Sequence, residues 1–155
     1  MGRMVMNDPA PGAIRETITR VVEWVDTDAS GHYHNSFVMR SVEAAEARMF
    51  GRLGLLEQYF RTAPRVHVEI DFRSKLYFGQ EATTVLEIES VGRSSISFRF
   101  AISGEAFDRL ETGTVPRRLA ASGRYVTAHV ATGTEESTPW PESVLEKLAL
   151  ATMSC

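Results

Sequence analysis

The chain has 155 residues, the length of one ordinary domain, with 43% hydrophobic and 24% charged residues, a balance that excludes disorder and fibrous repeats. Its net charge of −3 gives no electrostatic reason to bind nucleic acid, whose phosphates call for a concentrated basic face. No apolar run approaches the roughly 18 residues that span a bilayer, and the start lacks the apolar stretch of a secretory signal, so a cytoplasmic protein with no membrane partner is expected.

The first residues carry Asn7, Asp8, Pro9, Pro11 and Gly12, breakers without a hydrophobic period, and residues 1–16 read as a flexible arm before a single domain, 17–155. From Thr17 to Val25 the chain is rich in β-branched and aromatic residues, with Ile18, Val22 and Trp24 on one face, which predicts a strand. A polar stretch, Asp26 to Asn35, follows. Residues 36–54 then place Val38, Val42, Ala45 and Met49 at helical spacing, and Gly51 and Gly54 supply a stop. Alternation of Val66, Val68, Ile70 and Phe72 against Arg65, His67, Glu69, Asp71 and Arg73 predicts a half-buried strand.

Gly79 and the run Gly92-Arg93-Ser94 mark turns around two further strands, Thr83–Val91 and a second carrying Ile96, Phe98, Phe100 and Ile102. Residues 104–116 have little periodicity and read as a long loop. Leu119–Val130 resumes a strand with a bulge expected at Gly123, and Pro139 and Pro141 introduce a short helix over Glu142–Leu150. The order is strand, long helix, then antiparallel strands. This is an α+β chain in which one long helix must cover one apolar sheet face, so that helix is central.

The densest polar stretch, Asp26-Thr27-Asp28-Ala29-Ser30-Gly31-His32-Tyr33-His34-Asn35, lies directly before the long helix and is the candidate site. A helix N-terminus offers unpaired N–H groups and the positive end of the macrodipole, which can polarise a carbonyl and stabilise an oxyanion. Asp28, a few residues upstream, is a carboxylate that could attack that carbonyl or deprotonate water. The plainer alternative makes Asp28 and Asn35 turn and N-cap residues. His32 and His34, with His67 or His129, share only their residue type with metal sites. The sole cysteine, Cys155, cannot form an intrachain disulfide or a thiolate metal cluster.

The segment DTDASGHYHNSFVMRSVEAAEARMFGRLGL resembles the opening of the 4-hydroxybenzoyl-CoA thioesterase-like family, in which a D-x-D-x-x-G segment precedes the long helix. PRVHVEIDFRSKLYFGQEATTVLEIESVGRSSISFRFAI is similar to that family's next three strands, and the resemblance spans about Thr17 to Val130. It implies a hot-dog fold, an antiparallel sheet wrapped around one long central helix, and hydrolysis of an acyl thioester of coenzyme A or of an acyl carrier protein. It also implies no cofactor and no metal, and assembly as a homodimer or homotetramer joined at sheet edges.

By the same resemblance Asp28 is the nucleophile or general base, Asp26 is structural, and the backbone N–H of Asn35 faces the thioester oxygen. The related plant acyl-carrier-protein thioesterases use an Asp and a His four residues later, matched here by Asp28 and His32, with Ser30 where they have Asn. Other hot-dog thioesterases use an acid at about the position of Glu43, but after a His-Gly-Gly motif where this chain has His34-Asn35-Ser36. Arg93, Ser94 and Ser95 fall where the family contacts the nucleotide or pantetheine arm. Met39, Phe60, Leu76, Tyr77 and Phe78 are candidates to shape the acyl pocket. Two other readings stand beside hydrolysis: a dehydratase or hydratase pairing His32 or His34 with Glu43 across the dimer, and a non-catalytic carrier-binding protein.

Overall fold

The structure is a computed structural model that describes residues 13–153; most of the expected arm, and Cys155, lie outside the described residues. Strand β1 is Arg15–Val21, followed by a 3-10 turn at Trp24–Asp26, helix α1 Ser36–Arg52 and the short helix α2 Leu56–Phe60. Strands β2 Arg65–Phe72, β3 Glu81–Val91 and β4 Ser95–Gly104 come next, then a small hairpin of β5 Phe107–Arg109 and β6 Gly113–Val115. Strand β7 Arg118–Ala128 and helix α3 Glu142–Met153 complete the order. The five long strands form one sheet in the order β1-β3-β4-β7-β2, antiparallel throughout.

Helix α1 buries Phe37, Val38, Val42, Ala45, Met49 and Phe50 in one cluster with Leu86, Ile96, Phe98, Phe100, Ile102 and Tyr125 of the sheet. Each large side chain removed from water in this way contributes about 1.5–3 kcal/mol. The buried stripe is wider than the apolar spacing alone indicates, because Glu46 is inside it at 1% exposure. Its carboxylate is satisfied by distant segments: Tyr125 Oη at 2.7 Å, Tyr59 Oη at 3.1 Å and Arg65 Nη2 at 2.8 Å. A buried charge persists only when paired in this manner.

Several elements differ from the sequence expectation. Strand β1 begins at Arg15, inside the expected arm, because Arg15 and Glu16 pair with Glu87 and Leu86 and Glu16 is neutralised by Arg48 and Arg52. Trp24 leaves the strand in the 3-10 turn and is 74% exposed. Residues 104–116 hold the β5–β6 hairpin, turned by Gly113 at φ 87°. The irregularity in β7 falls between Leu119 and Ala121, opposite Ile102 and Ser103, rather than at Gly123. Gly123 is instead a point of close approach, where a Cβ would lie 2.0 Å from the Glu69 carbonyl oxygen and 2.7 Å from Phe100 Cζ.

Strand β2 has the expected alternation but little of the expected burial. It is the edge strand beside β7, and Val66, Val68 and Phe72 are 61%, 42% and 49% exposed. An open apolar edge of this length is a surface for pairing with another strand.

Candidate active site

The stretch from Thr27 to Tyr33 folds as a miniature hairpin. Thr27 bridges Tyr33, the Asp28 N–H donates to the His32 carbonyl at 3.0 Å, and the Gly31 N–H donates to the Asp28 carbonyl at 3.0 Å. Gly31 has φ 79°, a conformation that costs glycine nothing and other residues about 1 kcal/mol or more. The hairpin is tied to the segment after β2 by the Tyr33 N–H on the Leu76 carbonyl, 3.2 Å, and by a His32–Tyr77 bridge. The sequence therefore presents Asp28 at the start of a fixed turn ahead of α1.

Asp26 and Asp28 stand in different surroundings. Asp26 is buried, with Oδ1 accepting from Arg40 Nη2 at 2.8 Å and Oδ2 from the Glu23 N–H at 2.9 Å; its carbonyl takes the His34 N–H at 2.6 Å. Asp28 is exposed, and one oxygen, Oδ1, accepts both the Ser30 N–H at 2.8 Å and the Ser30 hydroxyl. The Ser30 hydroxyl and then the Ser30 N–H hold the Asp28 carboxyl below its ordinary range, with His34 and His32 adding to the effect. Oδ2 has no partner among the described residues.

The start of α1 is capped by a residue the sequence did not single out for it. His34 Nδ1 accepts the Ser36 N–H at 3.1 Å and lies 2.8 Å from Ser36 Oγ, while the Asn35 side chain makes no cap bond. Asn35 has helical backbone angles, φ −50° and ψ −35°, and its own N–H meets no acceptor among the described residues. A cleft of about 340 Å³ opens here, lined by Ser30, His32, Tyr33 and Asn35 on one side and Phe72, Arg73, Ser74 and Lys75 on the other.

Glu43 sits elsewhere. It lies about 12 Å along α1 from Asn35 at 1.5 Å per residue, half exposed, with Oε1 held 3.0 Å from Arg65 Nη1. Neither loop histidine is bonded to it, since His34 caps the helix and His32 contacts Ser30. Arg93 and Ser94 lie in the turn between β3 and β4 and Ser95 opens β4; the Arg93 and Ser94 carbonyls accept the backbone N–H groups of Trp140 and His129. Strand β3 starts beside Val21 and the site loop and ends at this turn, so the turn and Asp28 lie at opposite ends of the sheet in one protomer. Of the candidate pocket residues, Phe60 is on α2 beyond the end of α1, Leu76 is buried in the core, and Tyr77 stacks edge-on against His32.

Missed by the sequence reading were Arg40, which fixes Asp26, and the bonds that Ser30 makes to Asp28. The second had a local signal, since Asp followed two residues later by Ser is a common side-chain-to-backbone turn.

One long helix embraced by an antiparallel sheet, with the candidate site at the helix's first turn, is the hot-dog fold. Residues 22–148 match the model of the thioesterase-like superfamily, and the chain belongs to that family. A thioesterase from Thermus thermophilus complexed with coenzyme A and zinc superposes with a TM-score of 0.72 at 21% identity, over 89% of this chain and 94% of that one. The 4-hydroxybenzoyl-CoA thioesterase from Pseudomonas sp. strain CBS-3 superposes at 0.70 with 17% identity, over 87% and 99% of the two chains. A 1,4-dihydroxy-2-naphthoyl-CoA thioesterase from Synechocystis gives 0.70 at 18% identity, over 87% and 96%. No curated protein matches by sequence. Among the described residues no helix is long and apolar enough to cross a membrane.

Proposed function

We propose that the protein hydrolyses an acyl thioester carried on coenzyme A or on an acyl carrier protein. The observation that carries the reading is that the loop at the head of α1 holds both Asp28 Oδ2 and the Asn35 N–H, neither of which has a partner among the described residues. The Asn35 N–H and the helix dipole polarise the thioester carbonyl and hold the oxyanion that forms on attack. Asp28 Oδ2 either bonds to the carbonyl carbon, giving an anhydride that water then opens, or takes a proton from the attacking water. In both routes the C–S bond breaks, the thiol leaves and a carboxylic acid is released. His32 supports Asp28 through Ser30, and Glu43 takes no part.

The working unit in this reading is at least a dimer. Antiparallel pairing of two β2 edges would cover Val66, Val68 and Phe72 and turn each protomer's cleft toward the other copy's Arg93–Ser95 turn. That turn could then hold the nucleotide or pantetheine arm, which it cannot do within one protomer.

The test is release of free thiol from aromatic, short, medium and long acyl-CoA substrates by wild type and Asp28→Asn. Loss of general-base or nucleophilic assistance is worth about 10²–10⁴-fold, and a fall of that size with the fold intact is expected. Absence of turnover on every thioester by wild type, or survival of most activity in Asp28→Asn, would overturn the proposal.

A further inference from the structure

The geometry points to a directional hydrogen-bond chain, His32 to Ser30 to Asp28, that makes Ser30 the positioning residue of the reacting carboxylate; this rests on the reading of Asp28 as that carboxylate.

Ser30 Oγ lies within hydrogen-bond distance of two groups, Asp28 Oδ1 and His32 Nδ1, the latter at 3.1 Å. A hydroxyl carries one proton, and an ionised carboxylate can only accept. The Ser30 proton therefore goes to Asp28, and the contact with His32 is a bond only if His32 presents an N–H at Nδ1. That assigns Nδ1–H of the imidazole as the donor to Ser30 Oγ. A hydroxyl that accepts from an N–H is the stronger donor for it, because bonds in a chain polarise one another.

The chain has a second consequence for Asp28. The Ser30 N–H and hydroxyl both fall on Oδ1, so the carboxylate cannot rotate without losing two bonds, and Oδ2 alone is presented. The frame is rigid on the other side as well. The His32 carbonyl takes the Asp28 N–H, and the His32 ring rests edge-on against Tyr77 at 5.8 Å between centroids. Of the other titratable and charged groups at this end, His34 is committed to the cap of α1 and Asp26 to Arg40, while Tyr33, Arg73 and Lys75 line the cleft and Tyr77 lies against the His32 ring. Ser30 is thus the link through which His32 reaches Asp28, and His32 needs no contact with substrate.

The experiment compares Ser30→Ala, Ser30→Thr, His32→Ala and His32→Asn with wild type. The readouts are the carboxyl titration of Asp28 by carbon-13 NMR, the nitrogen-15 shifts of the His32 ring, and kcat and KM on the best thioester. Ser30→Ala should move the Asp28 titration upward and lower kcat about tenfold, the effect of one charge-assisted hydrogen bond, with KM little changed. Ser30→Thr should restore both. His32→Ala should act in the same direction but add almost nothing in the Ser30→Ala background, and His32→Asn, which offers an uncharged N–H near the Nδ1 position, should act like wild type.

If Ser30→Ala leaves the Asp28 titration and kcat unmoved while Asp28→Asn abolishes turnover, the chain is wrong and the thioesterase reading stands. Equal behaviour of His32→Ala and His32→Asn, or a wild-type His32 protonated only at Nε2, would also overturn the chain. Turnover surviving in Asp28→Asn would instead remove the catalytic reading, while the NMR titration would still report whether Ser30 binds Asp28.

Discussion

Asp26 and Asp28 are separated by one residue and face opposite environments: Asp26 is sealed at 1% exposure with both oxygens bonded, and Asp28 stands in solvent with one oxygen that meets no partner among the described residues. Their substitutions should therefore fail differently. Asp26→Ala strands the Arg40 guanidinium and the Glu23 N–H, and should cost about 1–3 kcal/mol of stability, read as a lowered midpoint in thermal unfolding. Asp28→Ala should unfold with wild type and lose turnover. A stable Asp26→Ala variant with normal activity would show that the two aspartates are not specialised in this way.

The buried cluster around Glu46 predicts a pH dependence of stability. Burial, the largest influence, raises the Glu46 carboxyl above its ordinary 4.5, opposed by Arg65 and by the Tyr125 and Tyr59 hydroxyls. An acid whose folded value is raised binds its proton more readily folded than unfolded, so its contribution to stability falls as pH rises from 4.5 through the folded value. The stability of wild type relative to Glu46→Gln should accordingly increase as pH is lowered through the raised folded value toward 4.5, measured by urea unfolding at each pH. Glu46→Ala, which leaves Arg65 and two tyrosines without their shared partner, should cost about 3 kcal/mol or more.

The exposed edge of β2 predicts self-association. Wild type should run as a dimer or larger by light scattering at micromolar concentration, and Val68→Lys, a charge placed on the edge, should give a monomer with unchanged far-ultraviolet circular dichroism and little turnover. A wild-type monomer with full activity would refute the pairing.

Gly123 offers a packing test. Any β-carbon there must displace the β2 backbone or the Phe100 ring, so Gly123→Ala should cost about 3 kcal/mol or more. The same change at the exposed Gly51, which has open space around it, should be neutral or mildly stabilising by about 0.5–1 kcal/mol.

The long helix was legible because Val38, Val42, Ala45 and Met49 repeat at one turn, and the long sheet strands followed from alternation. Glu46 was not legible in that stripe, since its burial depends on Tyr59, Tyr125 and Arg65, which only the folded chain gathers. Strands of three residues, such as β5 and β6, are too short to display a period. At the candidate site, Asp28 was marked by its place before the helix and Asn35 by the family resemblance, while spacing alone allowed both to be turn and cap residues. The placement of Arg93–Ser95 at the far end of the sheet could not be read locally, because it depends on how β3 runs relative to the site loop. The exposure of β2 was hidden for a related reason: alternation marks an apolar face without saying which molecule covers it.

The strand order β1-β3-β4-β7-β2 also sets a timetable. Strand β2 is made second, yet its partner in the sheet is β7, the last strand to be made, and Arg65 waits for Thr127 across more than sixty residues of chain. Closing so long a loop is slow compared with forming neighbouring hairpins. Until β7 arrives, β2 has no sheet to belong to and presents no ordered edge to another copy. In the proposed dimer, pairing through that edge would accordingly be restricted to chains that have already completed their sheet.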